Sequence, residues 1–158
     1  MTTYRLELLV TEQGAPFYPP VGTVENLFKD NAGYDLKVVT PLSPLTIATL
    51  VPLGVKARMI ETSLQGEQDC HFTLEPRSSI YKTGFIMANS RGIIDMTYRG
   101  QLMAPLVSVG TNFASVEAGT RLFQVIAPGL GYINQVSYVD SLPTSARGEG
   151  GFGSTGTK

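Results

Sequence analysis

Cysteine and histidine are almost missing from this chain: in 158 residues, Cys70 and His71 are the sole members of their kinds. One thiol excludes a disulfide within the chain, and one imidazole beside it leaves too few ligands for a Cys/His zinc site. A lone thiol also suits a reducing compartment, so an intracellular, cytoplasmic location is expected, a nucleus or a virus-infected cell included. Nowhere do eighteen apolar residues run together, and residues 1–7 have no long apolar core, which argues against a membrane span and a signal peptide. The net charge is only -1 and the pI near 5.8, so the overall field attracts neither nucleic acid nor an anionic membrane. Any anion must be held by locally clustered arginine or lysine. Helical periodicity is nearly absent as well.

What is present is glycine (17), proline (10) and 42% hydrophobic content, enough for one domain with a genuine core. Short alternating or apolar runs lie at 4–10, 34–39, 45–51, 55–60, 70–74, 85–88, 101–109, 120–127 and 133–139, separated by turn residues. That pattern predicts an all-β sandwich, jelly roll or barrel. Pro105 lies inside one run; lacking an N–H for the ladder, it predicts an edge or a bulge there. The segment 16–20 reads as a rigid connector with two aromatics tucked down, and the polar segment 61–69 as a loop.

Three stretches carry candidate chemistry. Residues 89–100, Asn89-Ser90-Arg91-Gly92-Ile93-Ile94-Asp95-Met96-Thr97-Tyr98-Arg99-Gly100, read as a hairpin that could offer backbone to a flat ligand and set Asp95 and Tyr98 beside it. Taken by itself, the stretch reads first as an ordinary hairpin with a solvated aspartate. Pro76-Arg77-Ser78-Ser79-Ile80-Tyr81-Lys82-Thr83-Gly84 is the best helix candidate, with hydroxyls for an N-cap and Gly84 at the stop; its start could hold an oxyanion or be a plain capped helix. From Pro143 the chain becomes glycine-rich, with Arg147, Phe152 and the run Gly153-Ser154-Thr155-Gly156. Such a tail buries too little to order itself, and if extended it could span on the order of 50 Å, enough to cross a neighbouring subunit. It reads either as a disordered terminus or as a lid over a nucleotide. The domain therefore covers 1–142 and the lid segment 143–158.

Together these stretches resemble the five ordered motifs of the homotrimeric dUTPases. The motifs are Ala32-Gly33-Tyr34-Asp35-Leu36, then Pro76-Arg77-Ser78-Ser79, then Gly92 to Gly100 with Asn89 upstream, then Gly119-Thr120-Arg121-Leu122-Phe123-Gln124, and last Arg147 to Gly156. Thr120 stands where many members carry an acid, and Ser79 where many carry glycine. The resemblance implies a distorted jelly-roll subunit with one short helix, a homotrimer with sites shared among chains, and hydrolysis of dUTP to dUMP and pyrophosphate. That reaction limits uracil in DNA and supplies dUMP for thymidylate synthesis. It implies Mg²⁺ carried by the triphosphate, with Asp35 and Gln124 acting through its water shell. Asp95 would activate the attacking water at the α-phosphorus. Arg77, Arg147 and Ser78, with Ser79, would hold phosphates. Asn89, Gly92 and Ile94 would meet uracil, Tyr98 the deoxyribose, and Phe152, Gly153, Ser154 and Thr155 would close over the nucleotide. Arg121 is open between a structural and a binding role. A dCTP deaminase of the same fold is the alternative enzyme, disfavoured by the Asp95–Tyr98 spacing and the glycine-rich fifth motif; a dUTP-binding regulatory module with a protein partner is the alternative outside catalysis.

Overall fold

In the computed structural model, which describes residues 1–111 and 115–150, the chain folds into two β-sheets. The larger holds seven strands: β1 (Thr3–Val10), β2 (Val24–Asn26), β4 (Thr49–Ser63), β5 (Gly66–Cys70), β7 (Phe85–Met87), β9 (Gln101–Ser108) and β11 (Ile133–Tyr138). Its path is β2-β11-β1-β4-β9-β7, with β5 paired to the far end of β4. The smaller sheet runs β3 (Gly33–Lys37), β10 (Arg121–Ile126), β6 (Phe72–Pro76) and β8 (Gly92–Ile94). This is the expected jelly roll.

Period-2 alternation explains why these runs are strands. Tyr4, Leu6 and Leu8 of β1 turn inward, and Leu102, Ala104 and Leu106 of β9 do the same, while their neighbours are only half-buried. They meet Leu36, Leu74, Phe123 and Val125 of the smaller sheet in one core. Truncating Phe123, which is fully buried, to alanine would cost about 3–5 kcal/mol.

Several local expectations need correction. Residues 49–51 of the first run and the whole run at 55–60 belong to one long strand, β4, which has Gly54 in the left-handed region (φ 74), where a side chain would be strained, while 45–48 lie outside any strand. The segment 61–69 is no loop: it is the hairpin of β4 and β5, with Ser63 opposite Gly66. Its polar residues misled because a two-stranded extension in solvent needs no apolar face. The helix after Arg77 is a six-residue 3-10 segment, Ser78–Thr83, whose first residue is preceded by extended Arg77 with no hydroxyl cap. Gly84 does end it in the left-handed region (φ 80). A second 3-10 turn spans Pro128–Leu130.

Residues 89–100 are not a hairpin either. β8 pairs with β6 in the smaller sheet, while the next strand, β9, lies in the larger, so residues 95–100 cross between sheets. Pro105 sits in β9 between β4 and β7, yet its carbonyl takes the Ala88 N–H at 2.8 Å just beyond the β7 ladder, which begins at Leu106. Its missing donor thus falls at a local edge. In the connector, Tyr18 is buried and its hydroxyl donates to the Leu53 carbonyl at 2.6 Å.

Candidate active site

The alternation of β3 builds the first part of the site. Leu36 points into the core and is fully buried, so Asp35 and Lys37 share the other face. Antiparallel β10 sets Gln124 opposite Asp35 and Arg121 opposite Lys37. Gly33 gives the Gln124 side chain its place, since a Cβ there would stand 2.4 Å from Gln124 Oε1. At the end of β6, the Arg77 N–H donates to the Leu122 carbonyl at 3.0 Å and fixes where its side chain leaves the sheet.

These residues, with Ser78, line a pocket of about 550 Å³. Arg77 Nε lies 3.1 Å from Asp35 Oδ1, and Arg121 Nη1 lies 3.9 Å from Asp35 Oδ2. Arg77 also donates to the Arg121 carbonyl at 3.0 Å, and Gln124 Nε2 to the Pro76 carbonyl at 3.3 Å. Ser79 is half-buried and does not line this pocket. Tyr34 and Tyr138 also line it, their hydroxyls 2.5 Å apart, with Tyr34 donating to Glu25 at 3.0 Å. Burial pushes the Tyr138 phenol up to about 12, and burial together with its partners raises Tyr34 further.

The second part is a pocket of about 150 Å³ lined by Asn89, Gly92, Ile93, Ile94, Asp95, Tyr98 and Arg147. A cavity of about that volume takes a single six-membered ring. A Cβ on Gly92 would meet nothing closer than Leu74 Cβ at 3.4 Å, an ordinary contact, and its φ is not positive, so the fold itself does not demand glycine there.

Long-range bonds hold the turn after β8. Tyr98 is buried, its hydroxyl donating to the Gln101 carbonyl at 2.7 Å and its N–H to the Asp95 carbonyl at 3.0 Å. Burial raises its phenol pKa, and Arg147 opposes that rise. His71 Nδ1 accepts the Met96 N–H at 3.0 Å, which leaves the imidazole proton on Nε2. The buried Arg99 guanidinium donates to the carbonyls of Met96, Tyr98 and Pro143 and to Asp69 Oδ2 at 3.2 Å. The β4–β5 hairpin, to which the sequence assigned no role, therefore braces this turn.

The described part of the tail returns to its own chain. Gly148 bridges to Tyr98, its carbonyl accepting the Arg99 N–H at 2.6 Å, and Ser145 Oγ donates to the Thr97 carbonyl. Arg147 forms an ion pair with Asp95 and lies over the Tyr98 ring, 5.8 Å from its centroid. Lys56 pairs with Glu149 and holds that carboxyl below its usual range. Phe152, Gly153, Ser154 and Thr155 lie outside the described residues.

The chain thus gathers Asp35, Arg77, Ser78 and Gln124 into one pocket and Asn89, Gly92, Ile94, Asp95, Tyr98 and Arg147 into another, with no lining residue in common. Sequence reasoning missed Lys37, Glu25, Tyr138, His71 and the Asp69–Arg99 brace. Lys37 was within reach, two residues past Asp35 on an alternating strand. Glu25 and Tyr138 come together only through β2 and β11, where Glu25 stands opposite Val136.

No three His, Cys, Asp or Glu side chains converge on a metal site among the described residues. One carboxylate and one amide, Asp35 and Gln124, stand across the ladder from each other, and the carboxylate is shared with two guanidiniums. That donor set fits Mg²⁺ that keeps its waters and arrives on phosphates, rather than an ion caged by protein.

Fold and site together define a class: an all-β protein with one pocket lined by lysine and arginine and a separate, smaller pocket lined by Asp95, Tyr98 and Arg147. A family model described as dUTPase matches residues 25–156. The deoxyuridine 5'-triphosphate nucleotidohydrolase of Aeromonas hydrophila is 36% identical over 154 residues, covering 92% of this chain and 89% of that protein. The protein of the same name from Shewanella piezotolerans is 32% identical over 162 residues, covering 99% of each. Among solved structures, the dUTPase from Streptococcus mutans aligns with a TM-score of 0.55 at 24% identity, over 84% of this chain and 96% of that one, a likeness of fold. The chain belongs to the dUTPase family.

Proposed function

We infer that this chain hydrolyses dUTP to dUMP and pyrophosphate, and that it does so as a homotrimer whose sites are each completed by neighbouring copies. The observation that carries the reading is the division of the motif residues between two pockets that share no residue. A base pocket from one copy set against the cationic pocket of another joins them.

Asp95, half-exposed at the rim of the base pocket, holds the attacking water and takes its proton. General-base help of this kind supplies roughly 10²- to 10⁴-fold, so the larger share comes from cations on the non-bridging phosphate oxygens. Arg77 is one. Arg147 is the other: in the free chain it neutralises Asp95, and the more highly charged triphosphate draws it away, releasing the carboxylate for the water. Ser78 donates to the oxygen bridging the α- and β-phosphorus, where leaving-group charge builds up. Asp35 and Gln124 would hold Mg²⁺ through its waters, and the ion would supply charge neutralisation on the phosphates. Phe152, Gly153, Ser154 and Thr155 close over the nucleotide.

Selectivity rests on Gly92. The protein leaves room for a Cβ there, so glycine serves the ligand: backbone at that point lies against C5 of uracil and refuses the methyl of thymine. Backbone groups of β8 read uracil's polar edge, and cytosine leaves them unpaired. Ile94 is buried behind that wall, Asn89 flanks it, and the Tyr98 ring excludes a 2′-hydroxyl. The lone thiol, Cys70, is buried and free, and its reduced state supports a cytoplasmic location.

Pyrophosphate release from dUTP with Mg²⁺ tests the reading. Release at micromolar enzyme or below is expected, and none would contradict it. Ammonia from dCTP would instead identify a deaminase.

A further inference from the structure

The cations of the large pocket are not equivalent. Arg77 and Arg121 are both within ion-pair reach of Asp35, whereas Lys37 reaches no carboxylate among the described residues. Its ammonium donates to the Phe17 carbonyl at 2.6 Å and sits 5.6 Å from the centroid of the Tyr18 ring. An ammonium carries three donors, so two remain for another acceptor. The lysine is also well anchored. Its backbone N–H donates to the Tyr18 hydroxyl at 2.8 Å, and that hydroxyl donates to the Leu53 carbonyl at 2.6 Å.

Cross-strand pairing adds a second observation. Lys37 of β3 stands opposite Arg121 of β10, and like charges directly opposite one another destabilise a sheet. Both line the pocket, and neither has its charge cancelled in full. An anion between them removes the repulsion. On β3 their rung lies two residues, roughly 6.6 Å, from the Asp35–Gln124 rung, and on β10 a register shift between Arg121 and Phe123 separates the two, so they address a different part of a phosphate chain.

We propose that Lys37 is a substrate-positioning residue that, with Arg121 across the ladder, holds the pyrophosphate portion of the triphosphate and so sets the preference for dUTP over dUMP. This rests on the reading of the chain as a dUTP hydrolase. The group bears on no bond that breaks; it fixes where the leaving pyrophosphate lies.

Lys37→Met keeps the unbranched stem of the side chain and removes the ammonium with its charge, and Lys37→Arg restores the charge. For Lys37→Met, KM for dUTP should rise roughly 10- to 100-fold, as for one lost charge-assisted hydrogen bond, while kcat falls less than about threefold. Inhibition by dUMP should be unchanged, and Lys37→Arg should recover most of the loss. Calorimetric binding of Mg²⁺-pyrophosphate to the unreacted protein, which needs no turnover, should weaken by a similar factor. An unchanged KM and unchanged pyrophosphate binding would overturn the proposal. So would parallel losses for dUTP and dUMP with a lower melting temperature, the signature of Lys37 merely pinning Phe17. A wild-type protein that binds pyrophosphate through Lys37 but releases none from dUTP would refute the hydrolase reading and leave this site standing.

Discussion

In the cationic pocket Asp35, Lys37, Arg121 and Gln124 stand on facing strands, and the ladder between β3 and β10 sets their spacing before any side chain bonds to another. The base pocket is made differently: Asp95 and Tyr98 lie on a turn that crosses between sheets, held by Arg99, by His71 and by the root of the tail. Backbone pairing gives the first a rigid electrostatic frame. The second depends on side chains reaching over long sequence distances, so it can respond to a ligand or to the tail, and the group assigned to the water lies there.

If the second pocket carries the chemistry, Asp95→Asn should have the largest effect. We expect kcat to fall by about 10²- to 10⁴-fold with dUTP binding retained, read by single-turnover kinetics and calorimetry. Equal losses of binding and rate would move Asp95 from the reaction to the frame. Next is Gly92→Ala. Because the added methyl finds room within the protein, the melting temperature should hold, while kcat/KM for dUTP drops roughly 10- to 200-fold, the range for one methylene in a tight pocket. A drop in melting temperature with unchanged kinetics would make this a folding glycine.

Asp69→Asn sharpens the contrast from a distance. It removes the charge that holds the buried Arg99, an interaction of about 1.5–3 kcal/mol, and should loosen the turn, lowering kcat/KM for dUTP several-fold while binding of Mg²⁺-pyrophosphate in the other pocket stays as it was. Loss of both together would mean that the pockets are not independent. The smallest effect is on alkaline stability. Cys70 rises from 9.0 to about 11 and Tyr138 from 10.0 to about 12, both chiefly through burial. The folded state therefore keeps these protons where the unfolded chain loses them, so their stabilisation is whole below about pH 9 and is lost as pH climbs through 11 to 12. Melting temperature against pH should show that fall, and Tyr138→Phe should flatten its upper part.

The same contrast explains what could be read from the sequence. Alternation in 4–10, 34–39 and 101–109 revealed strands and their buried faces, because one face of each packs on a core. Asp35, Arg121 and Gln124 came forward through the resemblance of their motifs, not through alternation: Arg121 and Gln124 are three residues apart, and only a register shift between Arg121 and Phe123 brings both to one pocket. Residues 89–100 looked like a hairpin because turn residues lay between two runs, and nothing local says that β8 and β9 join different sheets. The Asp69–Arg99 brace spans thirty residues and the Arg147–Asp95 pair fifty-two, distances over which pattern carries no information.

Whether one site draws its two halves from different copies is tested most directly by mixing two dead chains. Arg77→Ala disables the cationic half and Asp95→Asn the other, and each should be inactive by itself. Unfolded together and refolded as mixed trimers at equal ratio, about a quarter of the sites would receive an intact Arg77 from one copy and an intact Asp95 from another, so hydrolysis of dUTP should return to about that fraction of wild type. Mixed trimers with no recovered activity would mean that both halves of every site come from the same chain, which contradicts the account.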